Sequence, residues 1–363
     1  MKVPFVDFKK SYAKLRSEML PAIDRVLGEG NLILREDVEE FEENLAKYVG
    51  TRYAVGVNSG TDALYLALRA AGVREGDEVI TVSHTFIATI EAIVRVGAKP
   101  VLVDIGEDYL MDVAQVASLI TDRTRAIIPV HLSGDVCDMA ALFLVAAQAE
   151  HTIHIIEDSA QALGAKSKES KAGSMGLAGC FSFYPAKLLG GYGDGGAITT
   201  NSLKMYEEIK KLRNHYYIGK GTKDDMVKFG VNSRLDNIHA AALNIKLKHI
   251  DDYIERRKEI ARMYDEGLKS IAHLVLPIER GVYQDYVVRA EDRDELRDFL
   301  TKEGVETLGG DIVPNHLYKG LNLDFELPNT EKYTAEFLRL PCNPELENEE
   351  VNYVIDRIKL FYE

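Results

Sequence analysis

A chain of 363 residues, 46% apolar and 28% charged, has an ordinary globular composition. It exceeds the length over which one hydrophobic core keeps growing, so a large domain over residues 1–250 and a small one over 251–363 are expected. The formal net charge of −14 opposes nucleic-acid binding, and three widely spaced cysteines, Cys137, Cys180 and Cys342, fit neither a disulfide framework nor a paired-cysteine zinc site. No apolar run approaches the ~18 residues that span a bilayer, and MKVPFVDFKKSYAKL lacks the pattern of a secretory leader, which makes the cytoplasm the expected compartment and excludes a membrane partner.

Residues 51–201 alternate amphipathic helical stretches with short β-branched runs, the pattern of a mostly parallel sheet covered by helices. The predicted helices are TDALYLALRAAG and TFIATIEAIVRVG, stopped by Gly72 and Gly97, and the alanine-rich CDMAALFLVAAQAE. The predicted strands are DEVITV, AKPVLVDI, RAIIPVHL, HTIHIIED, CFSFY and GAITT. From Leu235, LDNIHAAALNIKLKHIDDYIERRKEIARMYDEGL repeats apolar residues at three and four and reads as one long helix bridging two domains. Beyond Leu274, strands such as YQDYVVRA and helices such as RDELRDFLTKEG make a small α+β unit.

The chemistry lies in spaced motifs. In NSGTDAL, small and hydroxylic residues precede a helix, so free backbone N–H groups at Gly60 and Thr61 suit a phosphate; a plain helix cap by Ser59 or Thr61 is the competing role. HTFIAT sits at a strand end and offers Phe86 to stack on a flat heterocycle, against simple core packing. IIEDSAQALGA runs an apolar strand into Asp158, a buried charge that needs a partner such as a protonated pyridine nitrogen, with Gln161 able to reach a phenolic oxygen. CFSFYPAKLLGGYGDGG places Lys187 after a strand in apolar surroundings that lower an amine's pKa, and Ser182 adds a hydroxyl for the phosphate. Together these groups are those a pyridoxal 5'-phosphate (PLP) enzyme needs, with pyridoxamine 5'-phosphate as the alternate form and Lys187 as the Schiff-base lysine.

Two other patterns are set aside. Gly191, Gly193 and Gly196 form a GxGxxG, but a strand follows it instead of a helix, so it is no dinucleotide fingerprint; the glycines are expected to let the backbone turn tightly near Lys187. His151 and His154 stand three apart in a strand and so point to opposite faces, which assigns them a structural role and leaves no metal ligand set.

SGTDAL, EDSAQALGA, CFSFYPAKLLGGYGDGGA and GVNSRLDNIHAA, in this order, resemble the DegT/DnrJ/EryC1/StrS sugar aminotransferases, and the likeness runs from PFVDFKKSY to RLPCNPEL. The resemblance implies the type I PLP aminotransferase fold: a large domain with a mostly parallel seven-stranded sheet and a smaller C-terminal α+β domain. It implies a homodimer with shared sites, L-glutamate as amino donor and a nucleotide-linked keto sugar as acceptor. It also implies that Asp158 pairs the pyridine nitrogen, Gln161 the phenolic oxygen, and Gly60, Thr61 and Ser182 the phosphate. Asn232 would reach the phosphate of the neighbouring subunit and Arg234 would lie near the amino donor or sugar nucleotide; Tyr184, His215 and His316 are further substrate-side candidates.

Two stretches depart from the family's commonest pattern: LRNHYY lacks the glycine that often follows the histidine, and LGGDIVPNH replaces the more usual HYPxPxH. The YPAKLLGGYGDGG form is more similar to members acting on a 3-keto carbon than to those acting on a 4-keto-6-deoxy sugar, which is the alternative substrate. Lys187 stands against a related dehydratase that carries histidine there. A non-enzymatic regulator on the same scaffold would leave Lys187, Asp158 and Gln161 without a purpose.

Overall fold

The computed structural model describes residues 1–217, 228–279, 281–309 and 313–363. The chain opens with α1 (Phe8–Glu29), capped by the Asp7 carboxylate, which accepts from Lys10 N at 2.8 Å, and then α2 (Glu36–Val49). There follow β1 (Tyr53–Val57), α3 (Gly60–Ala70), β2 (Glu78–Val82), α4 (Ala88–Arg95), β3 (Lys99–Val103), α5 (Val113–Leu119), β4 (Thr124–Ile127), α6 (Met139–Ala146) and β5 (His154–Asp158). A two-residue hairpin, β6 (Lys166–Ser167) and β7 (Ser170–Lys171), leads to β8 (Ala178–Ser182), β9 (Gly196–Thr200) and α7 (Leu203–Leu212).

The large sheet has seven strands in the order β1-β9-β8-β5-β4-β2-β3. Only β9 runs against its neighbours, β1 and β8; the other pairings are parallel, which is the mostly parallel sheet expected. Residues alternate between two cores along each strand: Ala54, Phe181 and Ala197 face a cluster with Phe41 and Leu243, while Val55, Cys180 and Ile198 face one with Leu66 and Ile209. Both faces are therefore covered, and the strands read as continuous apolar runs because neither face meets water. Gly72 and Gly97 adopt φ values of 87° and 83°, the left-handed stops that their position after a helix predicts.

The single long helix expected from Leu235 is two helices, α8 (Asn237–Lys248) and α9 (Ile250–Leu268), broken where His249 leaves helical geometry at φ −102° and ψ 5°. Apolar periodicity persists through the break because each half serves a different core. In α8, Ala242 and Ile245 pack on Leu15 and Met19 of α1, whereas in α9, Ile260, Tyr264 and Leu268 pack on the C-terminal sheet. That sheet is antiparallel, ordered β10 (Leu274–Val275), β11 (Tyr286–Ala290), β12 (Phe337–Leu340), and is flanked by α10 (Arg293–Lys302), α11 (Pro328–Glu336) and α12 (Asn348–Tyr362). Val3 bridges to Val305 and is buried in the same core, so the extreme N-terminus packs with the C-terminal unit. No helix among the described residues is long and apolar enough to cross a membrane.

Candidate active site

The parallel strands β1, β2, β5 and β8 end at one edge of the sheet, and β9, being reversed, begins there; Gly196 pairs with both Val57 and Ser182. This edge forms a cavity of about 450 Å³, where open α/β sheets place their ligands. Of the residues singled out from the sequence, Gly60, Thr61, Phe86, Asp158, Gln161, Ser182, Tyr184 and Lys187 all line it.

One end of the cavity is the start of α3. The Ser59 hydroxyl caps the helix by accepting from Asp62 N at 3.2 Å, and its carbonyl accepts from Ala63 N at 3.0 Å. The first-turn N–H groups of Gly60 and Thr61 precede any intrahelical partner and sit at the positive end of the helix dipole. Ser182 closes the cradle so tightly that a Cβ on Gly60 would lie 2.7 Å from Ser182 Cβ. Gly196 is equally constrained, since a Cβ there would lie 2.7 Å from Gly60 N. None of the glycines in GGYGDGG has a positive φ, so close approach, not left-handed backbone, selects them.

At the other end stands Asp158, 6% exposed. One carboxylate oxygen accepts from the Thr89 hydroxyl at 2.8 Å and the other from Ala160 N at 3.2 Å, but it has no ion-pair partner among the described residues. Burial pushes its carboxyl pKa above the usual range, and the contacts with Thr89 and Ala160 and the charges of Lys187 and His131 only partly offset this. Gln161 Oε1 accepts from Ser133 N at 2.7 Å, which fixes the amide and turns Nε2 to donation. Phe86 is 72% exposed, a flat apolar face left bare at the cavity wall instead of the core residue that was the competing reading.

Lys187 sits in a turn after β8, its N–H donating to Tyr184 O at 2.8 Å, and the loop closes with Gly191 N to Phe183 O at 2.8 Å. Burial lowers its amine pKa, the carboxylates of Asp285 and Asp158 oppose that, and Arg339 adds to it. The amine is therefore more readily neutral than a surface lysine.

Beneath Asp158, the fully buried His131 and Glu157 meet at 3.0 Å. Burial opposes a charge on His131 while its contacts to Cys137 and Glu157 favour one. Cys137 N donates to Nδ1 at 3.2 Å, and Nε2 faces the Glu157 carboxylate. The Glu157 carboxylate also takes the N–H groups of Gly173, Met175 and Gly176; burial raises its pKa, but His131 and these donors more than reverse that.

The structure leaves four candidates outside the cavity. Asn232 is exposed and bridges to Asn214, Arg234 Nη1 donates to Asn214 Oδ1 at 3.2 Å, and His215, at φ 59°, is exposed with its N–H on Val231 O at 2.9 Å. His316 is buried, its ring held by the Ser83 hydroxyl at 2.8 Å and Glu331 at 3.2 Å, so it fastens loop to sheet and presents no free nitrogen to a substrate. Residues 310–312 of LGGDIVPNH lie outside the described residues. His151 precedes β5, so the two histidines do not share a strand as expected; it bonds to Thr124 O at 2.7 Å, and His154, at the start of β5, is half-buried.

Sequence reasoning missed Thr89, Ser133 and the His131–Glu157 pair. Thr89 lay inside the quoted HTFIAT, and its position one helical turn after Thr85, to which its hydroxyl is bonded at 2.8 Å, was the available signal. Nothing in the local sequence marks Ser133, which enters the site through a left-handed φ of 55°.

A protein of Streptomyces venezuelae named dTDP-3-amino-3,4,6-trideoxy-alpha-D-glucose transaminase is 42% identical to this chain over 367 residues, covering 99% of the chain and 96% of that protein. A pleiotropic regulatory protein of Geobacillus stearothermophilus is 39% identical over 373 residues, covering 100% and 99%. The crystal structure of DesV from S. venezuelae in complex with a ketimine intermediate superposes with a TM-score of 0.95 at 42% identity, covering 100% of this chain and 99% of that one. The model of the DegT/DnrJ/EryC1/StrS aminotransferase family matches residues 13–359, and the chain belongs to that family.

Proposed function

We propose that this chain is a PLP-dependent aminotransferase that moves an amino group from L-glutamate to the 3-keto carbon of a nucleotide-linked hexose, in amino-sugar biosynthesis. The reading is carried by one arrangement: a cavity with a bare helix start at one end and, at the other, a buried carboxylate without a cation beside a lysine of lowered pKa. The unpaired Asp158 and the cradle between Gly60 and Ser182 fit a cationic ring nitrogen and a phosphate. When bound, the cofactor supplies an electron sink for the carbanion formed at the donor's α-carbon.

The chain's own groups do the rest. Gly60 and Thr61 N–H and the Ser182 hydroxyl hold the phosphate, Asp158 accepts from the pyridine nitrogen and keeps it protonated, and Phe86 lies along a ring face. Gln161 Nε2 donates to the phenolic oxygen. Lys187 would hold the cofactor through its amine; freed when the donor binds, that amine would take the proton from the donor's α-carbon and deliver it to the cofactor side, and release of 2-oxoglutarate before the sugar enters would make the exchange ping-pong.

What supports a shared site is that Asn232 and Arg234 lie outside their own cavity and are exposed or half-exposed, with Phe229, near them in sequence, 82% exposed. In a homodimer Asn232 would reach the partner's phosphate site, with Arg234, Tyr184 and His215 on the substrate side. The 3-keto position is supported by the 3-amino product in the name of the Streptomyces relative.

The test is to mix the PLP form with glutamate alone, then with a panel of 3-keto and 4-keto sugar nucleotides. Glutamate should bleach the visible band, and a 3-amino sugar nucleotide should form. No bleaching would refute the donor, and a 4-amino product the position. The regulatory name of the Geobacillus relative favours a second reading, a scaffold without chemistry. Lys187→Ala separates the two: the aminotransferase loses its Schiff-base colour and all turnover, whereas a wild-type protein that stays colourless and without turnover after incubation with added PLP would sink the enzyme reading.

A further inference from the structure

Residues 282–285, which lead into β11 of the small sheet, press against the back of the cavity. The side chain of buried Gln284 brackets Lys187: its Nε2 donates to Ala186 O at 3.0 Å and its Oε1 accepts from Leu188 N at 2.9 Å. Its own backbone N–H donates to Ser133 O at 3.1 Å, and Ser133 N donates to Gln161 Oε1 at 2.7 Å. Val282 N adds a bond to Gly134 O at 3.0 Å, an approach that only glycine allows, because a Cβ on Gly134 would lie 2.8 Å from Gln284 N. Arg257, buried, fixes the segment from behind through Nη1 to Tyr283 O at 3.1 Å and Gln284 O at 2.9 Å.

We infer that Gln284 is a positioning residue whose side chain sets, from the segment leading into the small sheet, where the Lys187 amine stands. Both peptide groups flanking Lys187 end on the Gln284 amide, and the first is also tied through the Lys187 N–H to Tyr184 O, so these bonds together fix the direction of the Lys187 Cα–Cβ bond. A four-carbon stem amplifies any rotation there into a displacement of the amine on the order of 1 Å, which costs about 100-fold in a reaction that depends on alignment.

The inference rests on the cofactor reading above, and its test has a readout besides turnover. Gln284→Met keeps the length and loses both bonds; Gln284→Asn keeps the amide but is one methylene too short to reach both partners. In each variant, loaded with PLP, one measures the melting temperature, the midpoint of the visible-band pH titration of the Lys187 Schiff base, and the glutamate half-reaction with ordinary and α-deuterated donor.

The expected result is a melting temperature near wild type, a shifted titration midpoint, a half-reaction slowed about 10- to 100-fold with a larger deuterium effect, and little change in the glutamate needed for half-saturation. If wild type itself does not respond to glutamate, the donor assignment falls while the titration midpoint still decides the role of Gln284. A variant that folds and keeps the wild-type midpoint and half-reaction rate overturns the inference, as does a loss fully restored by excess cofactor. Should Gln284→Met not fold, the same outcomes are read from Gln284→Asn.

Discussion

Gly60→Ala offers a sharp test of the phosphate cradle. Contacting carbons stand about 3.5–4.0 Å apart, whereas a methyl on Gly60 would sit 2.7 Å from Ser182 Cβ and 3.3 Å from both its Cα and Oγ. Ser182 cannot simply withdraw, because β8 is held there by its pairing to Gly196. Overpacking of this kind costs ~1–3 kcal/mol, and the helix preference of Ala over Gly returns ~0.5–1 kcal/mol. A net loss of ~1–2 kcal/mol falls on the closed cradle, and where the cofactor-free chain relieves it by opening, closing again around the cofactor weakens binding about 5- to 30-fold. Titration of cofactor-stripped protein with PLP, followed by absorbance, measures this directly. Ser182→Gly removes the clashing carbon, so Gly60→Ala/Ser182→Gly should bind better than the two single losses predict, with a coupling of ~1–2 kcal/mol. Additive losses, or a Gly60→Ala protein that binds like wild type, would refute the cradle geometry.

Two further outcomes follow from the site. Without cofactor, the raised carboxyl pKa of Asp158 means that the folded chain keeps a proton the unfolded chain has released, so stability falls as pH rises above the unfolded carboxyl value of ~3.9. Asp158→Asn should therefore stabilise the cofactor-free protein at pH 7, with the gain fading near pH 4, while abolishing most turnover of the loaded enzyme; chemical denaturation at both pH values checks the sign, and a less stable Asn variant at pH 7 would contradict it. If sites are shared, Lys187→Ala and Asn232→Ala proteins, each nearly inactive, should regain roughly a quarter of wild-type activity after mixing and subunit exchange, because half of random dimers then hold one intact site. No recovery between exchanged subunits would place Asn232 outside the partner's site.

Most of the cofactor end was legible because each group is announced by its immediate neighbours. Asp158 closes an apolar strand, Gly60 opens a helix, and Lys187 follows a strand through a proline, so strand ends converging on one sheet edge bring them together. What stayed hidden depends on contacts far apart in sequence or on single backbone angles. Gln284 meets the Lys187 loop across about a hundred residues, the break at His249 is one residue's pair of backbone angles inside an unbroken apolar period, and the left-handed Ser133 has no local marker. His316 was misplaced for a related reason: a histidine near a substrate-facing loop looks alike whether its ring is free or, as here, bonded to Ser83 and Glu331.

The glycine run of residues 190–196 shows how one pattern can serve opposite geometries. In a dinucleotide site GxGxxG leaves a strand and opens the phosphate-binding helix. Here the helix that opens at the proposed phosphate position is α3, far earlier in the chain, and Gly196 begins β9, the reversed strand of the large sheet. Gly193 lies so close to the His239 ring that a Cβ would stand 2.5 Å from it, and Gly196 backs onto Gly60. The reversed strand brings the end of the Lys187 loop back to the edge where α3 begins, so the same glycines that turn the loop also let Ser59, Gly60 and Ser182 come together at the end of the cavity proposed for the phosphate.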